Sequence, residues 1–568
     1  MFVKLTKSGP RRYVQLVESF RDECGKTRQR TVASLGRLET IESNFDSLVC
    51  GLERITGQRR SKGPTSSDAG EPDIVFEPAR ALGDVWSLTR LWTELGFDRL
   101  GAVLRSSKRR FDVEAMVRIM VFNRLCDPES KLGVLRWLET VCLPGVGTRA
   151  VAHQHLLRAM DALLEHGAQV DEVLASLLRP LIDQELSVVF YDLTTISTEG
   201  LSEQDDEVRQ FGRSKHGGVR RQFVLGVVQT AEGLPIYHEV FDGNVAEVST
   251  LRVTLDKVLE RFPIRRVIAV ADRGLLSVDN LDELKAIKTA HGEPLEFIVA
   301  VPGRRYSEFD TLVGDFHREH CAQASEEVIG ETRWKELRLV IAHSPQAASE
   351  RTAARDLLIK QLEDRAAEWV DKLDGQDGGK RYRGRKLSDG GARARFYHEV
   401  LEAKLAKIIR VDLASELFTY SIDCKARRRA ELMDGKLLLV TNAQDLEPAE
   451  VISRYKALAD IERGFRVLKS EIEIGPVYHR LPQRIRAHAY VCFIALIMHR
   501  VIRQRLRAAN TSLSPERALE TLRRIQHHRV KLNEREHTGV STVTREQAAI
   551  LKSLSVPKPT QSEQLSLL

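Results

Sequence analysis

Two apolar segments that each end in an aspartate constrain the fold of this chain more than any other feature. Residues 188–191 precede Asp192, and residues 267–271 precede Asp272. Short continuous apolar runs with β-branched residues are typical of buried β-strands. We therefore expect both aspartates at the carboxyl ends of neighbouring strands, where a rigid backbone lets their side chains converge.

A third carboxylate lies in residues 455–469, which are predicted to form a helix. Tyr455, Glu462 and Lys469 are each seven residues apart, so they lie near one helix face. An apolar face that includes Phe465 lies beside them and is expected to pack on the core. Glu462 would then approach the two aspartates from a packed helix.

Three other acids compete with Glu462 for this position. Asp460 points away from the helix face of Tyr455, and Glu471 and Glu473 lie at the helix end. Glu462 is preferred because it lies at the centre of the stretch and shares a face with Lys469, which can reach a phosphate.

Each acid alone also has an ordinary structural interpretation. Asp192 could cap a turn with Thr194, Asp272 could pair with Arg273, and the helix could be an amphipathic helix with solvated charges. Two such strand ends followed by a carboxylate-bearing helix favour function instead. Two-metal phosphoryl transfer holds two Mg²⁺ ions about 4 Å apart between carboxylates, and Mg²⁺ prefers oxygen ligands.

Length and composition place these segments in a multidomain protein. The 568 residues exceed one compact core, and the net charge of +7 favours a polyanionic partner. Seven widely spaced cysteines without a CxxC pair indicate reduced thiols. We find no signal-peptide core and no run of about 18 apolar residues, and residues 489–498 fit a buried helix. A cytoplasmic, nucleoid-associated location is expected.

The pattern along the chain predicts an α/β core flanked by other units. Strands are predicted near residues 12–20, 27–35, 188–195, 222–229, 234–240, 267–271, 297–301, 418–422 and 436–441. Helices are predicted near 41–55, 249–262, 280–290, 351–372, 449–472 and 483–508. The expected domains are a β-hairpin unit (1–57), a linker (58–75), a helical domain that binds DNA ends (76–184), the first part of the core (185–302), an insertion (303–447), the closing helices (448–534) and a flexible tail (535–568).

These segments together resemble the DDE transposases of bacterial insertion sequences, in the cut-and-paste branch. That branch carries a Tyr-x2-Arg-x3-Glu-x6-Lys signature and a large insertion before the glutamate helix. This chain has Tyr455, Glu462 and Lys469 in that spacing, with Leu458 at the arginine position. The Asp272-Arg273-Gly274 triplet also resembles the second-aspartate motif of the family.

The resemblance implies an RNase H-like α/β fold in which Asp192, Asp272 and Glu462 are catalytic and bind Mg²⁺, or Mn²⁺ in its place. It also implies binding of double-stranded DNA at terminal inverted repeats and target sites, DNA strand cleavage, and strand transfer by a homodimer or higher multimer on paired ends. No membrane partner is expected. The predicted DNA contacts are Tyr455, Lys469, Arg273, Arg463, Arg466, Lys215, Arg220 and Arg221.

Two alternatives remain beside this enzyme. The chain could be a DNA-binding protein that keeps the fold without catalysis, or a stand-alone RNase H-like nuclease that never joins ends. The presence of all three carboxylates argues against the first, and the N-terminal units argue against the second. Residues 317–321 resemble part of a metal site, but no second cysteine or histidine pair completes it at the usual spacing.

Overall fold

The computed structural model describes most of the chain after residue 73 and three strands before it. The described residues are 2–8, 11–21, 27–37, 74–147, 151–181, 187–200, 208–213, 218–230, 232–245, 247–262, 267–271, 281, 285, 288, 292, 294–379, 386–532 and 535–559. The chain divides into two compact units, of which the first comprises residues 1–75 and 531–535 and the second comprises the rest.

The first unit contains an antiparallel sheet with the strand order β1-β2-β3. Its strands are β1 (Phe2–Ser8), β2 (Arg11–Arg21) and β3 (Thr27–Arg37). The two strands predicted from alternation are β2 and β3, and Val14 and Val17 of β2 are buried. The sequence analysis missed β1. The predicted helix at 41–55 lies outside the described residues.

The short strand β4 (Ile74–Phe76) ends at the first residue of the second unit, and the short strand β5 (Arg80–Ala81) and six helices follow it among the described residues. The helices are α1 (Gly83–Glu94), α2 (Leu100–Leu104), α3 (Val113–Cys126), α4 (Gly133–Thr140), α5 (His153–Glu165) and α6 (Gly167–Leu178). The carboxylate of Asp112 begins α3 by accepting a hydrogen bond from the Ala115 N–H at 3.1 Å. Trp86, Trp92 and Phe122 are buried among these helices.

A nine-stranded mixed sheet lies at the centre of the second unit. Its strands are β6 (Ser187–Ser197), β7 (Gln210–Arg213), β8 (Val219–Thr230), β9 (Pro235–Asp242), β10 (Val267–Ala271), β11 (Glu296–Ala300), β12 (Val328–Trp334), β13 (Leu337–His343) and β16 (Lys436–Thr441). The order is β12-β13-β16-β11-β10-β6-β8-β7, and β9 pairs with β8. β10 runs parallel to both β6 and β11.

Three of these strands, β12, β13 and β16, come from the predicted insertion and extend the central sheet beyond β11. The remaining elements of that region are α8 (Asp310–Phe316), a π-helix (His317–Cys321), α9 (Pro345–Asp377), α10 (Asp389–Glu402), β14 (Ile409–Val411), β15 (Tyr420–Ile422) and α11 (Cys424–Met433). A separate small core around Phe396 and Phe418 joins α9, α10, β14 and β15.

Helices cover the sheet and complete the unit. They are α7 (Glu247–Arg261), which follows β9, and α12 (Pro448–Lys456), α13 (Leu458–Ser470), α14 (Pro482–Ala508), α15 (Pro515–Arg523) and α16 (Arg545–Ser553). The hairpin β17 (Gln526–Leu532) and β18 (Arg535–Val540) lies between the last two helices. The predicted helix at 280–290 falls mostly outside the described residues.

Helix α14 is the central buried helix of this unit. By length and hydropathy it could cross a membrane, but 94% of its most apolar window is buried inside the protein. His238 of β9 stacks on Phe493 of α14 with ring centroids 4.4 Å apart. The sequence analysis expected a buried helix here, and the burial explains its apolar composition.

Candidate active site

Strand β6, which carries Asp192, is the meeting point of the parallel and antiparallel parts of the sheet. The parallel ladder with β10 ends at the pair Val270 and Phe190. β6 continues to Ser197, and Asp192 pairs with Val227 of β8. The expectation that the strand ends at Asp192 was therefore wrong, because β8 supplies an antiparallel partner after β10 has ended. The side chain of Asp192 lies outside the described part of the structure.

The second predicted aspartate follows β10 directly. β10 ends at Ala271, and Asp272 is the next residue in the sequence. Asp272 and Arg273 both lie outside the described residues. Each predicted aspartate is nevertheless two residues beyond one member of the Phe190–Val270 pair.

Tyr191 defines one face of the sheet at this position. Its side chain is fully buried, and its hydroxyl donates a hydrogen bond to the Thr250 Oγ1 of α7 at 2.9 Å. Tyr237 of β9 lies on the same face, since Val228 pairs with both tyrosines. The guanidinium of Arg261 of α7 lies 4.8 Å from the Tyr237 ring centre. Helix α7 therefore covers this face.

The opposite face is covered by α13 and α14. Gly464 of α13 approaches β8 so closely that a Cβ there would lie 2.8 Å from the Gln229 Nε2. The same Cβ would lie 2.9 Å from an Arg500 guanidinium nitrogen of α14. Gln229 pairs with Phe190, so it lies on the face opposite Tyr191. Helix α13, which contains Glu462, thus packs on this second face.

The predicted helix at 455–469 is divided in the structure. Helix α12 ends at Lys456 and α13 begins at Leu458, so one uninterrupted helix was a wrong prediction. Ala457 keeps helical dihedrals, but its ψ of −17° is typical of a tighter turn that interrupts the regular hydrogen bonding. Tyr455 therefore lies on α12, while Glu462 and Lys469 lie on α13. Phe465 is buried as expected.

The side chains around Glu462 differ in exposure. The Glu462 side chain itself lies outside the described part of the structure, as does that of Asp460. Tyr455, Arg463 and Lys469 are half-buried, and Arg466 is exposed. Helix α13 thus presents one exposed cation and buries part of two others.

Glu471, a competing third carboxylate, already has a partner inside the protein. Its Oε2 lies 2.9 Å from the Nε2 of the buried His499. This hydrogen bond is the main reason that the pKa of Glu471 is lowered. Glu473 is exposed and has a positive φ of 51° just after α13. Its carbonyl accepts a hydrogen bond from the Arg124 guanidinium at 3.1 Å.

The two predicted DNA contacts on β8 differ in their surroundings. Arg220 is exposed. Arg221 is half-buried, and it donates hydrogen bonds of 3.2 Å each to the carbonyls of Arg209 and Gly200. Lys215 lies outside the described residues. Arg221 thus helps to hold the ends of neighbouring strands, whereas Arg220 faces solvent.

Several other basic residues are used inside the protein. Arg500 is 4% exposed. Arg505 forms an ion pair of 2.6 Å with Glu94, and Arg523 one of 2.9 Å with the fully buried Asp84. Arg429 pairs with Asp310. These side chains join helices to their neighbours, which their charge alone did not reveal.

The sequence indicated only part of one cluster of metal-ligand residue types. His317, Cys321 and His343 bring their ligand atoms within 4.8 Å of one another. The ammonium of Lys436 lies between them, 3.1 Å from the His317 Nδ1 and 3.4 Å from the His343 Nδ1. We interpret the cluster as a hydrogen-bonded network around Lys436. His317 and Cys321 lie on the π-helix, and His343 is the last residue of β13. The spacing of residues in the sequence could not predict that His343 lies beside the other two.

Comparisons with known proteins identify the class of protein to which this chain belongs. The family model described as "Transposase DDE domain" matches residues 183–498, more than half of the chain. The chain therefore belongs to the DDE transposases, and it is an enzyme that cleaves and transfers DNA. The model described as "IS1634 family transposase, N-terminal domain" matches residues 3–65, so the chain is a DDE transposase of an insertion sequence. A search of curated proteins found no match.

Family membership confirms part of the sequence analysis. The class of enzyme and the mixed α/β architecture are as expected. Enzymes with this domain generally use divalent metal ions, and transposase domains imply DNA binding.

Proposed function

We propose that this transposase binds the terminal inverted repeats of its element and catalyses Mg²⁺-dependent strand cleavage and strand transfer in cut-and-paste transposition. The observation that carries the proposal is the joint position of three backbone elements. β6 and β10 are parallel neighbours, and α13 packs on the sheet beside them. Each of these elements carries or directly precedes one of the three acids.

The parallel register supports a shared site for the two aspartates. Phe190 and Val270 are partners, and Asp192 and Asp272 are each two residues further along. Parallel strands advance together by about 3.3 Å per residue. This register is the one that the predicted convergence of Asp192 and Asp272 requires.

The alternation of side chains along β6 supports the role of Glu462. Tyr191 faces α7, so position 192 belongs to the opposite face. Gln229 marks that face and meets Gly464, two residues after Glu462 on α13. The helix that carries Glu462 is therefore on the sheet face to which Asp192 belongs.

Three carboxylates suit a hard divalent cation. Mg²⁺ prefers oxygen ligands and Mn²⁺ accepts the same set. One of the two acids just after α13, Glu471, is already hydrogen-bonded to His499. When bound, such cations stabilise the charge that develops on the attacking and leaving oxygens of a phosphodiester. Asp192, Asp272 and Glu462 would hold them, and Lys469 would position a DNA phosphate near the same helix.

The strand order supports an RNase H-like core within the larger sheet. Five neighbouring strands follow the order β9-β8-β6-β10-β11, in which β8 is antiparallel to both β9 and β6, and β10 is parallel to both β6 and β11. The domain division given in the sequence analysis is retained as part of this proposal, except for the flexible tail at 535–568. That prediction was wrong for residues 535–553, because they form β18 and α16, and Ile550 and Leu551 of α16 are buried in the core. The proposal also retains the predicted DNA contacts, a multimer on paired DNA ends, and a cytoplasmic, nucleoid-associated location.

Cleavage of a labelled duplex that carries the element's own ends tests the proposal. Wild type and Asp272→Ala would be compared with Mg²⁺, with Mn²⁺ and with chelator. We expect metal-dependent cutting at the repeat tip, lost in the variant while end binding is retained. Tight binding without cutting under any divalent metal would favour the inactive DNA-binding protein. Nicking without strand transfer would favour the stand-alone nuclease.

A further inference from the structure

A cavity of about 650 Å³ lies where the first helices of the second unit meet the segment after α13. We call it the Lys131 cavity. The residues that matter for its chemistry are Arg124, Lys131, Tyr478, His479, Arg484 and His488. Glu473, three residues after the end of α13, also lines it. The cavity thus begins where the proposed catalytic helix ends.

Lys131 is a buried lysine that has no carboxylate partner among the described residues. It is 7% exposed, and it makes no hydrogen bond or ion pair with any residue in the described part of the chain. The two carboxylates that line the cavity do not serve it, since Glu473 is exposed and Glu129 lies 3.9 Å from Arg136. An uncompensated buried charge is costly, so a ligand of opposite charge would stabilise this arrangement.

Arg124 adds a second donor to the same wall. It is 5% exposed, and its terminal nitrogens donate to the carbonyls of Ile472, Glu473 and Glu129. Its Nε is buried and has no acceptor in the part of the chain that the structure describes. These backbone contacts fix the guanidinium beside the cavity, where its positive charge adds to that of Lys131.

The positive potential of the cavity is visible in its neighbours. Burial, then the charge of Arg124, lowers the pKa of Lys131 to about 7. Burial, then the charge of Lys131, lowers the pKa of His479 to about 3. Arg484 is neutralised by Asp161 at 2.9 Å, so the other cations that line the cavity are the buried Lys131 and Arg124 and the exposed Arg480.

The mouth of the cavity is lined by exposed aromatic and apolar side chains. Tyr478 is 71% exposed and Leu132 is 57% exposed, and both line the cavity. Exposed aromatic rings beside a cationic groove are the usual platform for a nucleobase or sugar. A nucleotide fits this arrangement, because its phosphate can lie against the buried cations and its flat base can lie against the exposed Tyr478 and Leu132.

We propose that the Lys131 cavity binds one nucleotide unit of a DNA strand, with its phosphate on Lys131 and Arg124 and its base or sugar against Tyr478. This inference rests on the proposed function, because it takes DNA as the source of the nucleotide. It assigns a DNA contact to the helical region before β6, remote in sequence from the three carboxylates.

The test measures binding of inorganic phosphate, dAMP and a DNA oligonucleotide without divalent metal. Full-length wild type is compared with Lys131→Met, Tyr478→Ala and Lys552→Met, the last removing an exposed lysine that does not line the cavity. Thermal melts check folding. Tyr478→Ala changes only an exposed side chain, so it provides a second variant that keeps the fold.

We expect Lys131→Met to weaken phosphate and dAMP binding at least tenfold and to lower the salt dependence of DNA binding by about one phosphate contact. Tyr478→Ala should weaken dAMP about tenfold and leave inorganic phosphate unchanged. Equal phosphate and dAMP binding by wild type and Lys131→Met would overturn the site. Loss of dAMP binding with unchanged DNA affinity and salt slope would overturn the assignment to DNA. Because these assays contain no metal, they are independent of whether the chain cleaves DNA.

Discussion

Phe190 of β6 and Val270 of β10 form the last pair of a parallel ladder, and an aspartate follows each of them two residues later. The pairing places Phe190 and Val270, which are 80 residues apart in the sequence, next to each other in the sheet. Strand alternation from Tyr191 and the close approach of Gly464 then associate the helix of Glu462 with the same face. The account of catalysis depends on these three backbone relationships.

The choice of third carboxylate predicts opposite results for two conservative substitutions. Glu462→Gln should abolish metal-dependent cleavage and leave the melting temperature near that of wild type. Glu471→Gln should retain cleavage and lose about 1.5–3 kcal/mol of stability, because it removes a charged hydrogen bond to His499. Cleavage assays and urea unfolding measure both. Retained cleavage in Glu462→Gln with loss in Glu471→Gln or Glu473→Gln would show that another acid is the third ligand.

The pH dependence of Glu471 has a definite sign. Its pKa is lowered in the folded protein, so its stabilising contribution is present above the unfolded pKa and is lost as the pH falls through the lower folded value. Wild type should therefore lose stability relative to Glu471→Gln on acidification below about pH 4.5. Unfolding free energies measured between pH 6 and pH 3 would show this, and a difference independent of pH would contradict it.

Helix α13 should not tolerate a side chain at its closest approach to the sheet. Glycine to alanine within a helix normally stabilises by up to about 1 kcal/mol. A Cβ at Gly464 would meet the buried Gln229 and Arg500 side chains, so Gly464→Ala should instead cost about 1–3 kcal/mol and reduce cleavage. Gly314→Ala in α8 is the control, since its Cβ would meet no atom within 4 Å. Stabilisation by both substitutions would contradict the packing described for α13.

Because of Lys131, the free energy of unfolding should rise as the pH increases above neutrality. Its folded pKa is about 7 and its unfolded pKa about 10.4, so between these values the unfolded chain binds more protons. Lys131→Met removes this penalty and should be more stable than wild type by a few kcal/mol at pH 7. The difference should shrink toward pH 10. Arg124, His479, His488 and Cys492 surround the lysine, so the informative quantity is the difference between the two proteins at each pH.

The two arginines on β8 should separate DNA binding from folding. Arg220→Gln should weaken binding to all DNA sequences and lower the salt slope by about one, with little change in stability. Arg221→Gln should cost about 1–2 kcal/mol because it removes hydrogen bonds to two backbone carbonyls. Salt-titrated binding and thermal melts distinguish them. A larger loss of DNA affinity in Arg221→Gln than in Arg220→Gln at equal folded fraction would reverse the assignment.

Local patterns in the sequence were enough to predict β10, which precedes Asp272, and several other elements of the core. β10 and β16 were predicted at their observed bounds because their apolar runs are short and uninterrupted. Helix α7 was predicted within two residues at each end. A glycine within a helical pattern, such as Gly464, is a further sequence feature that indicates close packing of the helix.

What the sequence did not predict depends on contacts between remote segments. β6 continues past Asp192 because β8 pairs with it, and β12, β13 and β16 join the central sheet although the intervening chain forms its own small core. The Lys131 cavity requires residues more than 340 positions apart in the sequence, Lys131 and Tyr478, to meet. The residue pattern of neither segment indicates that Lys131 and Tyr478 line the same cavity.

The most direct test of the central claim is Mn²⁺ binding to the protein–DNA complex, followed by electron paramagnetic resonance. Wild type would be compared with Asp192→Asn, Asp272→Asn, Glu462→Gln and the control Glu471→Gln. We predict bound Mn²⁺ in wild type and in Glu471→Gln, and at least tenfold weaker binding in each of the other three. Undiminished Mn²⁺ binding in Asp272→Asn or Glu462→Gln would contradict a site shared by the three carboxylates.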